Sequence, residues 1–175
     1  MRKTLFCTLA LLLLCACGGA QRMTTEEVLA ELAEHCDAPV LLGQILENPD
    51  DLWAGRGMWA GYALTPGFAR CCCLLEGDGL ELELGGWPDV LDNWHVTRLR
   101  LTGGRYSLFG LRAGDMREEA DRVLRAWGYA PAAEDARSRG YTKGEVWLGV
   151  RWDGEGRIVR LTASIPSTNR EGVDF

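Results

Sequence analysis

Cys71-Cys72-Cys73 is the densest run of reactive side chains in this 175-residue chain. On a strand, Cys71 and Cys73 point to one side and Cys72 to the other, so three thiols cannot converge on one metal ion. Structural zinc sites use Cys pairs two to four residues apart, and no second pair with that spacing is present. We therefore read the three as small, buried strand residues. In an oxidising compartment Cys36 could bridge to one of them, closing a loop of about 35 residues worth roughly 3–4 kcal/mol in the chain-entropy model. No Cys-x-x-Cys motif supports thiol redox chemistry. His35 and His95 are the only histidines. His95 shares strand parity with Leu99 and Leu101, which suggests an inward or border position. Asp92 is near it in sequence, but no Ser or Cys nucleophile completes a triad. The Asp78-Gly79 and Asp153-Gly154-Glu155 turns lack the alternating oxygen ligands and distal Glu of a calcium loop. Neither Gly103-Gly104 nor Gly110…Gly114 is followed by the Lys-Ser/Thr of a phosphate loop. These residues point away from an enzyme, and no cofactor or metal is expected.

The aromatic residues are more suggestive. Seven tryptophans exceed what a core of this size needs. Strand alternation puts Trp147 opposite Val146 and Leu148, while Trp53, Trp59 and Trp87 fall in Gly/Pro-rich loops. Tryptophan is enriched in binding hot spots and can stack on sugar rings, so Trp147, Trp53, Trp59 and Trp87 are the candidate binding residues. The formal charge of −6 argues against a nucleic-acid partner, which would want a basic stripe. Lys3 and Lys143 are the only lysines, and no arginine run is long enough to track a phosphate backbone.

The N-terminus has the three parts of a secretory signal: a basic start at Arg2-Lys3, an apolar run, and small residues at the cut. The run is too short to span a bilayer, which needs about 20 residues. Leu14-Cys15-Ala16-Cys17 resembles the bacterial lipobox. That resemblance implies a signal peptide over 1–16, cleavage before Cys17, and lipidation of Cys17 by diacylglycerol and acyl (palmitate-type) chains. Two or more chains anchor stably where one does not. Residues 17–23 then form a lipidated tether, and the address is the extracytoplasmic face of a bacterial cell membrane. An ordinary cleaved signal that leaves a soluble secreted protein is the alternative.

The rest of the chain supplies the elements. Thr24-Thr25-Glu26-Glu27 opens a helix with a capping box, and Val28, Leu29, Leu32 and Ala33 form its apolar stripe. A second short helix is expected over Val40–Leu46, and the Trp-rich passage that follows reads as loop leading into a strand. Three hairpins are expected: Phe68–Glu76 with Leu80–Leu84, Trp94–Leu101 with Tyr106–Phe109, and Glu145–Trp152 with Arg157–Ile165. In the last, Val146, Leu148, Val150 and Trp152 share one face, as do Val159, Leu161, Ala163 and Ile165. Between the second and third hairpins, Met116, Ala120, Val123, Leu124 and Trp127 make the stripe of an amphipathic helix. Asp115 is placed to cap that helix with Glu118 in the capping-box position. Glu118–Arg122 and Asp121–Arg125 are acid-first pairs four residues apart, and Gly128 suits the left-handed C-terminal position. Ala130–Gly140 reads as a loop or frayed helix.

The resulting fold class is α+β: a mainly antiparallel sheet with one or two amphipathic helices packed on one face. Helix-then-hairpin near both ends suggests a duplicated αββ unit. A single domain should run from 24 to 166, with a loose tail over 167–175. Gly110-Leu111-Arg112-Ala113-Gly114, followed by Glu119-Ala120, Leu124 and Gly128, resembles the G-[I/L]-x-x-G-M-[S/T]-x-x-E-V-x-x-x-L pattern of two families. These are the SmpA/OmlA (BamE-like) lipoproteins and the β-lactamase-inhibitor-like α/β domains. The match departs at Asp115 and Met116. It implies helices on a small antiparallel sheet and function by binding proteins rather than by catalysis. The expected function is a non-catalytic, membrane-anchored lipoprotein that binds a protein partner at the cell envelope, or alternatively glycan or peptidoglycan.

Overall fold

A computed structural model describes residues 23–46, 58–65, 68–75, 79–86 and 94–165, with side chains over 23–45, 79–85 and 95–165. The lipobox with Cys17, and Trp53 and Trp87, lie outside the described residues, as do the side chains of Trp59 and Cys71–Cys73; the backbone of Trp59, expected in a loop, belongs to the strand Met58–Thr65, where it pairs with Cys73. Among the described residues, nine antiparallel strands form one sheet with two helices, an α+β fold.

In chain order the elements are α1 (Thr25–Glu34), β1 (Ile45–Leu46), β2 (Met58–Thr65), β3 (Phe68–Leu75), β4 (Leu80–Gly86) and β5 (Trp94–Leu101). Then follow α2 (Arg117–Ala126), β6 (Ala130–Asp135), β7 (Ser138–Lys143), β8 (Val146–Trp152) and β9 (Ile158–Ser164). The sheet order is β2-β3-β4-β5-β9-β8-β7-β6, and β1 pairs with the end of β5 that β9 does not reach. Each half is thus a helix followed by a four-strand meander, and the last strands of the two meanders pair at the centre. The repeated unit is longer than the αββ expected from sequence.

One face of the sheet carries the core. Leu80, Leu82 and Leu84 of β4, Leu99 and Leu101 of β5, Leu161 and Ala163 of β9, and Val146, Leu148 and Val150 of β8 are all buried on it. Val28 and Leu32 of α1 and Ala120 and Leu124 of α2 close the same core. The α1 capping box forms as the sequence implies: Thr24 Oγ1 accepts from Glu27 N–H, and Glu27 accepts from Thr24 N–H. At the end of α2, Gly128 takes φ 81°, Tyr129 N–H donates to Leu124 O and Gly128 N–H to Arg125 O. These are the two bonds of a Schellman cap.

Several expectations give way to competing local bonds. The N-cap of α2 is Met116, not Asp115. The Asp115 carboxylate is taken by Arg112 N–H in the preceding turn (2.8 Å), so it cannot reach the helix amides. Glu118 pairs with Arg117, and Arg122 turns to Glu119, while the Asp121–Arg125 pair forms as expected (2.8 Å). Met116 and Trp127 at the ends of the α2 stripe are exposed, because only its middle turns meet the sheet. Val40–Leu46 is not a helix; it ends in β1, which β5 recruits at His95. Tyr106–Phe109 does not pair with β5, whose edges are taken by β4, β9 and β1. Instead Leu108 and Leu111 bridge around Phe109 and Gly110, and Phe109 sits at φ 54°. Ala130–Gly140 forms the β6–β7 hairpin; β6 is exposed throughout and, with Pro131, occupies the sheet edge that proline tolerates. Bulges explain two parity errors. An extra residue in β5 opposite Glu83/Leu84 turns His95 outward, and one in β9 opposite Arg151/Trp152 buries Ile158 and leaves Val159 exposed. Cys36 is a free thiol, so the disulfide considered for it is not formed.

Three polar clasps tie the helices and loops to the sheet. Lys143 Nζ donates to both Glu31 oxygens (2.6 and 2.8 Å) and to Trp127 O (2.8 Å), joining α1, the α2 cap and β7. Asp121 of α2 accepts from Arg139 (2.8 Å) and Tyr141 Oη (2.9 Å) of β7. Asp37 accepts from Ser107 N–H and Oγ.

Candidate functional site

The titratable clusters resolve first into structural roles. Burial works to raise the Asp121 carboxyl, but hydrogen bonds from Arg125, Tyr141 and Arg139 outweigh it and hold it below the usual carboxylate range. Burial, with the bond to Asp121, pushes Tyr141 up to about 12. Burial likewise raises the Cys36 thiol, the reverse of what a nucleophilic cysteine needs. The His35 ring stacks on Trp127 (centroids 4.2 Å apart) and Phe109 (5.6 Å), inside an aromatic cluster that Tyr129 completes. His95 is exposed on the far side of β5. No group of three or more His, Cys, Asp or Glu side chains among the described residues could hold a metal ion.

The sheet face away from the helices has a different character. There β9 contributes Ser164, Thr162 and Arg160; β5 contributes Arg98 and Arg100; β8 contributes Trp147, Gly149 and Arg151. The register sets these in rows: Arg98 beside Ser164 beside Trp147, Arg100 beside Thr162 beside Gly149, and Arg160 beside Arg151. Small hydroxyl residues on β9 between larger side chains on its neighbours leave a trough of about 450 Å³. A second hollow of about 300 Å³ lies on the other side of Trp147, toward β7. The two share Trp147, Arg160 and Thr162.

Trp147 is the ridge between them. Alternation puts it on this face, as the sequence implies, and it remains 36% exposed. Its indole lies flat because Gly149 and its cross-strand neighbour Gly140 leave the space. A Cβ on Gly140 would come 2.7 Å from the indole Nε1, and one on Gly149 would come 2.6 Å from Cζ3. The inner side of the ring therefore covers a bare glycine pair, as aromatic neighbours do in sheets. Its outer side is open among the described residues.

The carboxylates of this face are already engaged. Glu83, almost fully buried, accepts from Arg98 (2.8 Å) and lies 4.0 Å from Arg100, which also pairs with Glu81. Glu145 bonds to Thr25, and Asp135 caps its own turn through Arg137 N–H and Ser138 Oγ. By contrast, Arg151 and Arg160 stand directly opposite one another, and neither makes an ion pair among the described residues. Alternation along the sequence sets Arg151 on the Trp147 face without marking it as a binding residue, and sequence reasoning missed Arg160 and Gly140. Outward parity on β8 and β9 marks Arg151 and Arg160 once both strands are placed; Gly140 lies in a stretch that reads as a loop or frayed helix.

No family model, curated protein or solved structure matches the chain.

Proposed function

We propose that the chain is an extracytoplasmic bacterial lipoprotein, held at the cell membrane by acyl chains on Cys17. On this reading its folded part binds a protein partner, without catalysis, through the sheet face centred on Trp147. The observation that carries the reading is the flat, outward-facing indole of Trp147 on a sheet face that neither of the two described helices covers. A large ring on a polar sheet face, flanked by arginines, has the composition of an interface centre, where Trp and Arg are over-represented. The lipobox resemblance of Leu14–Cys17 supports the address. The resemblance of Gly110–Gly128 to lipoprotein and inhibitor modules supports binding over chemistry. No helix among the described residues is long and apolar enough to cross a membrane, so on this reading the lipid does the holding.

A second reading, a glycan or peptidoglycan ligand, draws on the same ring and on the hydroxyl floor at Thr162 and Ser164. Purification of the lipidated protein from detergent-solubilised envelopes separates the two. A protein that co-purifies with the wild type and is lost with Trp147→Ala supports the first. Retention on purified murein, lost with Trp147→Ala, supports the second. Indifference of both to Trp147→Ala overturns the proposal.

A further inference from the structure

We infer that the partner presents an acidic segment to this face, and that Arg151 and Arg160 receive its carboxylates beside Trp147. The inference rests on the reading of the Trp147 face as the binding surface, and adds the chemistry of what docks there.

The chain as a whole is acidic, at −6, yet the two hollows around Trp147 gather Arg98, Arg100, Arg137, Arg139, Arg151 and Arg160. Every carboxylate lining those hollows has a partner within this chain: Glu83 on Arg98, Glu145 on Thr25, Asp135 in its own turn. Only Glu83 is paired with an arginine of these hollows; the arginines outnumber the carboxylates there, and an incoming carboxylate would find guanidinium groups on both sides of the ring.

The arrangement also works against the fold. Like charges directly opposite on neighbouring strands are destabilising. Arg151 and Arg160 are such a pair, and Arg100, one strand further, lies diagonal to Arg160. Arg100 is relieved by Glu81. Arg160 has no ion pair among the described residues. Arg151 makes no ion pair among the described residues either, though it feels the charge of Asp135 across the second hollow. A carboxylate seated between the two guanidinium groups would remove the repulsion and could be gripped bidentately.

The trough along β9 is floored by Thr162 and Ser164 and walled by Trp147 on one side and Arg98 and Arg100 on the other. Its length follows a strand, which suits an extended acidic chain with its apolar parts against the indole. Arginine rather than lysine throughout fits planar carboxylate recognition.

The test uses the mature protein, with fluorescein-labelled hexaglutamate as probe, read by anisotropy at low and at physiological salt. Hexaglutamine and a hyaluronan oligosaccharide serve as comparisons. The variants are Arg151→Gln/Arg160→Gln, Trp147→Ala, and Arg122→Gln on the exposed side of α2. We expect hexaglutamate to bind and hexaglutamine not to. The arginine double variant should weaken binding at least tenfold, Trp147→Ala should weaken it, and Arg122→Gln should leave it unchanged. The melting temperature of the double variant should stay level or rise, since repulsion is removed; a fall with loss of secondary structure would contradict that repulsion. No binding of hexaglutamate, or equal weakening by Arg122→Gln, overturns the inference. Preference for hyaluronan through the same arginines overturns it in favour of an acidic glycan. The envelope co-purification separates this failure from failure of the underlying reading. A protein lost with Trp147→Ala but retained by the arginine variant sinks only the acidic partner, whereas indifference to Trp147→Ala sinks the binding face itself.

Discussion

Gly149→Ala is the substitution whose effect the packing of Trp147 determines most closely. Trp147 is 36% exposed. About two-thirds of a side chain of roughly 200 Å² is therefore covered. At about 25 cal/mol per Å² that coverage is worth about 3 kcal/mol. The new Cβ would meet the far edge of the ring, so the indole must lift; losing about half its coverage costs ~1.5 kcal/mol. Against this, alanine in place of glycine within a strand gains about 0.5–1 kcal/mol. The net is a loss of about 0.5–1 kcal/mol in the wild-type background. With Trp147→Ala already in place the three atoms nearest that Cβ are gone, and the same change should stabilise by about 0.5–1 kcal/mol. Urea unfolding of the four proteins of this cycle gives the coupling directly, expected at about 1.5 kcal/mol. The same sign and size of effect in both backgrounds would refute the flat placement of the ring.

Lys143→Met removes the donor shared by Glu31 and the Trp127 carbonyl; because both charged groups are only partly buried, chemical denaturation should show a loss of about 2–4 kcal/mol, and no loss would mean the clasp is ornamental. Leu124→Ala should cost about 2–5 kcal/mol, and Trp127→Ala, whose ring is covered to the same extent as Trp147 and packs on His35 and Phe109, about 3 kcal/mol; a thermal melt unchanged by either would misplace α2. Tyr141 is raised in the fold from 10.0 to about 12. Its contribution is therefore complete below pH 10 and lost as pH rises toward 12, and Tyr141→Phe should flatten that limb of the stability profile. Asp121 is held low, so its contribution is present above the unfolded carboxylate range and lost as pH falls through the lowered value. Asp121→Asn should flatten the acid limb. Cys17→Ala should release the protein from membranes or leave it uncleaved; an unlipidated mature N-terminus in the wild type, seen by mass spectrometry, would remove the anchor.

The parts of the fold that were legible from sequence are those where one periodicity acts unopposed. Leu80, Leu82 and Leu84 alternate with Glu81 and Glu83, and Val146 to Trp152 alternate cleanly; both became strands with the expected faces inward. Thr24 with Glu27 and Gly128 with Tyr129 carry their caps in their own side chains or backbone freedom, and both formed. What failed depended on tertiary partners. Asp115 looks like a cap until Arg112 takes its carboxylate. The β6 strand has no buried residue to betray it, since its pairing with β7 is all that makes it a strand. His95 and Val159 were misfaced by bulges that shift parity by one residue. The candidate surface divided in the same way. Trp147 was readable from alternation alone. The Gly140–Gly149 pair beneath it and the Arg151–Arg160 opposition beside it exist only once β7, β8 and β9 are in register.

The account turns on whether the Trp147 face is the one that meets a partner in the living envelope. Photo-crosslinking tests this directly, with benzoylphenylalanine placed at Thr162 in the trough or at Arg122 on the exposed side of α2. The account predicts a discrete crosslinked species from position 162 that disappears with Trp147→Ala, and none from position 122. Crosslinking from position 122 alone, or a product at 162 that persists unchanged with Trp147→Ala, would contradict it.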